Sequence, residues 1–212
     1  EVRIANDANC FALSEAIDGA GRDAQVVFGA ILGTGCGGGI VVNRQVVTGA
    51  NAIAGEWGHN PLPLPTAADL PLPACFCGHV GCNELYISGT GLARDHRAVT
   101  GEAALPEMIV ARSADGDAAC EASLRRFEER LARALSGVIN ILDPDVVVLG
   151  GGMSNVQRLY DNVPRLWGRT IASDFVDTRL VRNVHGDSSG VRGAAWLWGS
   201  AVPSPAKPGQ AN

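Results

Sequence analysis

Val2 and Ile4 alternate with polar neighbours and predict a short strand. Asn6 and Asp7 then supply the short polar side chains that favour helix starts. Ala8, Phe11, Ala12, Leu13 and Ala16 follow at helical spacing and give one apolar face. Residues 26–32 (VVFGAIL) are a continuous apolar run of buried-strand length, leading into GTGCGGG. Residues 40–42 predict a second strand, Asn43 and Arg44 a turn, and residues 46–48 a third short strand. Five of the eleven prolines fall within 61–73, which excludes regular structure and predicts a long loop. From about Asp117 to Leu142, apolar residues recur every three or four positions with Arg and Glu opposite. This predicts a long amphipathic helix stopped at Pro144. Residues 146–149 (VVVL) predict a buried strand that delivers Gly150, Gly151 and Gly152. A helix through Leu159 and Leu166 follows, and GAAWLW at 193–198 predicts a buried closing helix. Strands alternating with helices make the class α/β.

Composition changes this picture in two ways. Glycine is abundant, 27 of 212 residues, against a background of about 7%. It clusters at 33–39 and 150–152 without a repeat period, which excludes a collagen-like chain and suggests backbone brought close to a ligand. Net charge is −5 and no basic run occurs, so no nucleic-acid footprint is visible. Apolar runs are interrupted by Gly and Pro short of membrane-spanning length, and no signal-peptide core opens the sequence. A cytoplasmic protein without a membrane partner is expected.

Residues 75–82 read CFCGHVGC, three cysteines in eight positions. A Cys75–Cys77 disulfide is sterically awkward, and nothing in the sequence indicates an oxidising compartment. Thiolates spaced around two glycines suit a tetrahedral zinc ion. His59, in GEWGH beyond the proline-rich loop, is the candidate fourth ligand, with His79 as the alternative. Zinc bound by His59, Cys75, Cys77 and Cys82 would staple a loop that has little core of its own. Cys10, Cys36 and Cys120 stand singly and read as packing residues.

The segments GEWGH (55–59) and CFCGHVGCNE (75–84) resemble the signature of the ROK family of bacterial sugar kinases and repressors. The resemblance extends to IANDANCFALSE (4–15), GTGCGGGI (33–40), LDPDVVVLGGGMS (142–154) and HGDSSGVRGAAWLW (185–198). Within the family the likeness is greatest to the manno(fructo)kinases, with the N-acetylglucosamine kinases next. The resemblance implies an actin-like ATPase (ribonuclease H-like) fold. Residues 1–200 would be mainly its larger C-terminal lobe, with the zinc loop at 59–82, the closing helix near 190–199 and a disordered tail at 201–212. The N-terminal lobe and its phosphate loop are expected upstream, so this piece alone is expected to be inactive.

The resemblance also implies ATP-dependent transfer of a phosphoryl group to the 6-hydroxyl of fructose or mannose. ATP, Mg2+ and structural Zn2+ would be its cofactors, and a homodimer its assembly. Asp7 would be the catalytic base. Asn6, Glu56, His59 and Glu84 would hold the sugar, His59 using one ring nitrogen for zinc and the other for the sugar. Gly33, Thr34 and Gly35 would approach phosphate oxygens, and Gly150, Gly151 and Gly152 would leave room for the nucleoside. The alternatives are a glucokinase or N-acetylglucosamine kinase of the same family, and the sugar-sensing part of a ROK repressor.

Overall fold

The sheet is assembled around β1 (Val26–Leu32) in the computed structural model, which describes residues 2–198. On one edge β1 pairs antiparallel with β2 (Cys36–Val42), with Gly29 opposite Gly39 and Ile31 opposite Gly37. A two-residue turn leads to β3 (Gln45–Val46). Asn43 and Arg44 there both take positive φ, +50° and +64°, as tight hairpin turns require. On its other edge β1 pairs parallel with β4 (Val146–Gly150), beyond which β5 (Arg179–Arg182) continues in parallel. The order is β3-β2-β1-β4-β5.

Alternation along β1 divides the core between two faces. Phe28, Ala30 and Leu32 join the larger cluster with Leu124, Leu131 and Leu135 of α5 (Ala118–Leu142). Val27 points to the other face, against Phe11, Ala12 and Ala16 of α1 (Asp7–Ile17). Helices therefore cover both faces, and all five residues of β4 are buried. α7 (Ser189–Trp196) packs on α1 so closely that a side-chain carbon at Gly193 would lie 1.7 Å from the Cys10 carbonyl oxygen. The buried carboxylate of Glu15 joins the two, accepting from Ser189 Oγ at 2.8 Å and from the backbone N–H of Val184 at 3.1 Å. α6 (Arg158–Trp167) lies along α5.

The boundaries follow local chemistry. Asn6 caps α1 by accepting from Ala8 N–H. Asp117 caps α5 by accepting from Ala119 and Cys120, and Asp143 ends it in the left-handed region at φ +46°.

Some expectations require correction. Residues 2–4 form no strand: they find no paired edge among the described residues, and Val2 and Ile4 lie exposed. β2 begins at Cys36, four residues earlier than its apolar pattern suggests, because glycines 37–39 pair with β1 while offering no hydrophobic signal. Residues 84–114 hold three unanticipated helices: α2 (Glu84–Ile87), α3 (Gly89–Thr100) and α4 (Pro106–Ala114). The expected tail at 201–212 lies outside the described residues.

Candidate functional site

Glycines 37–39 of β2 are the platform on which the site is built. A side-chain carbon at Gly38 would lie 2.6 Å from the Gly55 carbonyl oxygen, and one at Gly58 would lie 2.1 Å from that of Cys36. Segment 55–58 therefore lies backbone against backbone on the strand. Trp57 locks it there: its indole N–H donates to the Gly37 carbonyl at 2.9 Å, and its ring meets Phe28 edge-on with centroids 5.3 Å apart. Asn83 adds a third tie, its amide donating to the Trp57 carbonyl at 3.0 Å. Glu56, directly before the tryptophan anchor, and His59, two residues after it, take their places from it.

Helix α1 brings its start to the same platform. Ala8 packs over Gly37 and Gly39, and Asn6 Nδ2 reaches Glu56 Oε1 at 3.4 Å across fifty positions of sequence. Asp7 is exposed beside it. One of its oxygens accepts from Ala8 N–H at 2.8 Å, leaving the other without a protein donor among the described residues. Burial, then the Glu84 and Glu56 carboxylates, push the Cys36 thiol well above its ordinary value, keeping it neutral beside these acids.

At the end of the proline-rich loop, His59, Cys75, Cys77 and Cys82 bring their ligand atoms within 4.8 Å of one another. His59 Nδ1 lies 3.7 Å from Cys75 Sγ, and the Cys77 and Cys82 sulfurs lie 3.6 Å apart. The loop is folded to this end: residues 61 and 82 bridge, as do 74 and 80, and Gly78 and Gly81 take positive φ. All six cysteines are free thiols. The donor set fits zinc, since three sulfurs and one imidazole form a common structural combination. The His79 backbone N–H leads the effects that lower the Cys77 thiol to about 6, whereas burial and the neighbouring sulfurs raise Cys82 to about 12. Sulfurs this close resist joint ionisation unless a cation joins them. His79 stands 3.6 Å from Cys77 Sγ at the exposed edge, outside the group of four.

The turn between β1 and β2 separates two environments. Gly33, Thr34, Gly89, Thr90, Gly152 and Met153 border a cavity of about 700 Å3, walled on its apolar side by Pro106 and Val110. Gly89 N–H donates to the Gly33 carbonyl at 2.7 Å, and the Thr90 hydroxyl to that of Thr34 at 2.6 Å. Gly35 faces away from the cavity lining, toward Glu84, whose Oε2 accepts from Cys36 N–H at 3.0 Å. The triple glycine divides similarly. Gly150 makes room for the Phe11 ring, and Gly151, at φ +74°, lies under the Leu32 carbonyl. Gly152 alone of the three borders the cavity. The sequence reading missed Gly89, Thr90 and Pro106, although residues 89–91 repeat the tripeptide GTG found at 33–35.

A mixed sheet with helices on both faces, a glycine turn at its edge and an adjoining cavity is the architecture of an actin-like ATPase domain. Comparison with known proteins gives the family. The ROK family model matches residues 1–201, and the chain belongs to the ROK family. It is 42% identical over 201 residues to an N-acetyl-D-glucosamine kinase of Yersinia enterocolitica, covering 93% of this chain and 66% of that protein. It thus spans about two thirds of the length of such relatives. A ROK hexokinase from Thermus thermophilus matches with a TM-score of 0.80 and 30% identity, over 91% of this chain and 63% of that one. A ROK glucokinase from Streptomyces griseus, solved with glucose and AMPPNP, matches at 0.78 and 28%, over 92% and 67%.

Proposed function

We propose that the whole protein is an ATP-dependent hexose kinase whose acceptor is N-acetylglucosamine or glucose. The observation carrying this reading is a gathering of acceptors around one platform. Asp7 neighbours Asn6, which reaches Glu56, and Glu84 of α2 accepts from Cys36 N–H beside a turn that borders the 700 Å3 cavity. Carboxylates only accept hydrogen bonds, which suits them to the several hydroxyls of a sugar. The likeness to an N-acetyl-D-glucosamine kinase and to a glucokinase favours those sugars over the fructose or mannose expected from sequence.

In this reading the cavity takes ATP. The sugar hydroxyl oxygen forms a bond to the γ-phosphorus as the bond to the ADP oxygen breaks, and the hydroxyl proton passes to Asp7. Asp7 is prepared for that task because Ala8 N–H orients one of its oxygens. Magnesium bound with the nucleotide would offset phosphate charge. Zinc on His59, Cys75, Cys77 and Cys82 would staple the loop that carries Glu84. Asn6, Glu56, His59 and Glu84 hold the sugar.

Steady-state ADP release by the full protein, measured with four hexoses, tests the reading. N-acetylglucosamine or glucose is expected to give the highest kcat/KM. Asp7→Asn is expected to lower kcat by about 10²- to 10⁴-fold, the range of a lost general base, while sugar affinity persists. Fructose as the best substrate would overturn the sugar assignment. Sugar binding without turnover by the wild type would favour a sensor instead.

A further inference from the structure

Gly35 belongs to a tripeptide that sequence reading assigns wholly to phosphate, yet its surroundings differ from those of its neighbours. Gly33 and Thr34 border the cavity, and a side-chain carbon at Gly33 would meet nothing within 4 Å. A carbon at Gly35 would lie 2.6 Å from Glu84 Oε2, the same oxygen that accepts from Cys36 N–H at 3.0 Å. The other close atom is the Glu84 carboxyl carbon at 3.5 Å, so the position is bounded by the end of a movable side chain and not by backbone. A methyl group there would push the carboxylate off its backbone donor and leave the turn intact.

We infer that Gly35 is a positioning residue for the sugar, acting through Glu84, and not part of the phosphate cradle. Without a side chain it lets one Glu84 oxygen rest on Cys36 N–H, which fixes the direction of the other. The nucleotide side of the turn is held separately, by Gly89 N–H on the Gly33 carbonyl and the Thr90 hydroxyl on that of Thr34. One three-residue turn thus serves two substrates from opposite faces. The inference rests on the kinase reading and on Glu84 as a sugar acceptor.

The test is a double-mutant cycle in the full protein, with Gly35→Ala, Glu84→Gln and both together. KM is measured for sugar and for ATP, and thermal unfolding is followed in parallel. Gly35→Ala is expected to raise sugar KM about tenfold or more, as loss of a charge-assisted hydrogen bond implies. ATP KM should stay within about twofold. The double variant should be no worse for sugar than Glu84→Gln alone, because residues acting as one unit are not additive. A shift in ATP KM in place of sugar KM, or additive effects on sugar KM, overturns the inference and leaves the kinase reading standing. A G35A protein that fails to fold overturns it as well, since the obstruction would then be backbone. A wild type that phosphorylates no hexose overturns both.

Discussion

Cys75 and Cys82 are buried and Cys77 is exposed, yet the three sulfurs converge with the His59 imidazole on one point. Phe76 between them meets the His59 ring edge-on, with centroids 5.0 Å apart, while remaining 83% exposed. A bound cation would give such a knot further cohesion. Elemental analysis is expected to find about one zinc per chain, as a single four-ligand site demands. Cys82→Ser should abolish it, whereas Cys120→Ser, at a buried thiol in the first turn of α5, should leave it unchanged. The cysteine spacing made this knot legible in sequence. That Gly33 and Thr34 border the cavity while Gly35 lies against Glu84 was not, because a glycine carries no chemical sign of what lies against it.

The proline-rich loop acquires its shape from an element distant in sequence. Asp69, in a single 3-10 turn, accepts from Thr66 within the loop and from Arg130 and Arg133 of α5, at 2.7 and 2.9 Å for the arginines. Arg130 also pairs with Asp95 of α3 and stacks over Tyr86, whose hydroxyl donates to the Asp69 carbonyl. Side-chain exposures of 1% for Asp69 and 3% for Arg130 place the pair in the interior. Removing Asp69 takes the carboxylate from Arg133 and leaves Arg130 with Asp95 alone, an excess of positive charge in the interior. Asp69→Ala is therefore expected to cost about 3–5 kcal/mol in urea unfolding, the range for a broken buried pair. The 3.6-residue period of α5 was readable in sequence. That Arg130 and Arg133, on its polar side, bind a loop sixty residues earlier was not, since charge on a helix ordinarily marks a solvated face.

Across the whole molecule, carboxylates paired with arginine set the acid limit of stability. Hydrogen bonds from Arg158 and Ser113 lower Glu121 to about 2, and burial opposes them. Burial likewise raises Asp69, but the Thr66 N–H, Arg130 and Arg133 outweigh it and bring the carboxyl below its ordinary value. A depressed folded-state value contributes stability that is complete above the unfolded value, about 4 for these side chains, and fades as pH falls toward the folded one. Urea midpoints are accordingly expected to fall between about pH 5 and 2, steeply below 4. A flat profile through that window would contradict the assignment of these pairs as stabilising. Among the described residues, no helix is long and apolar enough to cross a membrane.

The sequence by itself determined what neighbouring residues can settle: the capped start of α1 at Asn6, the apolar run of β1, the long period of α5 and the spacing of the zinc-type ligands. Each rests on hydrogen bonds or side-chain periodicity within a few positions of chain. Tertiary structure alone decided that the β2 glycines form a docking strand for Trp57 and its neighbours, that Gly150 accommodates Phe11, and that Gly35 faces Glu84. Those outcomes depend on how closely two backbones approach across the fold, and an absent side chain gives no indication of its partner until both segments are in place.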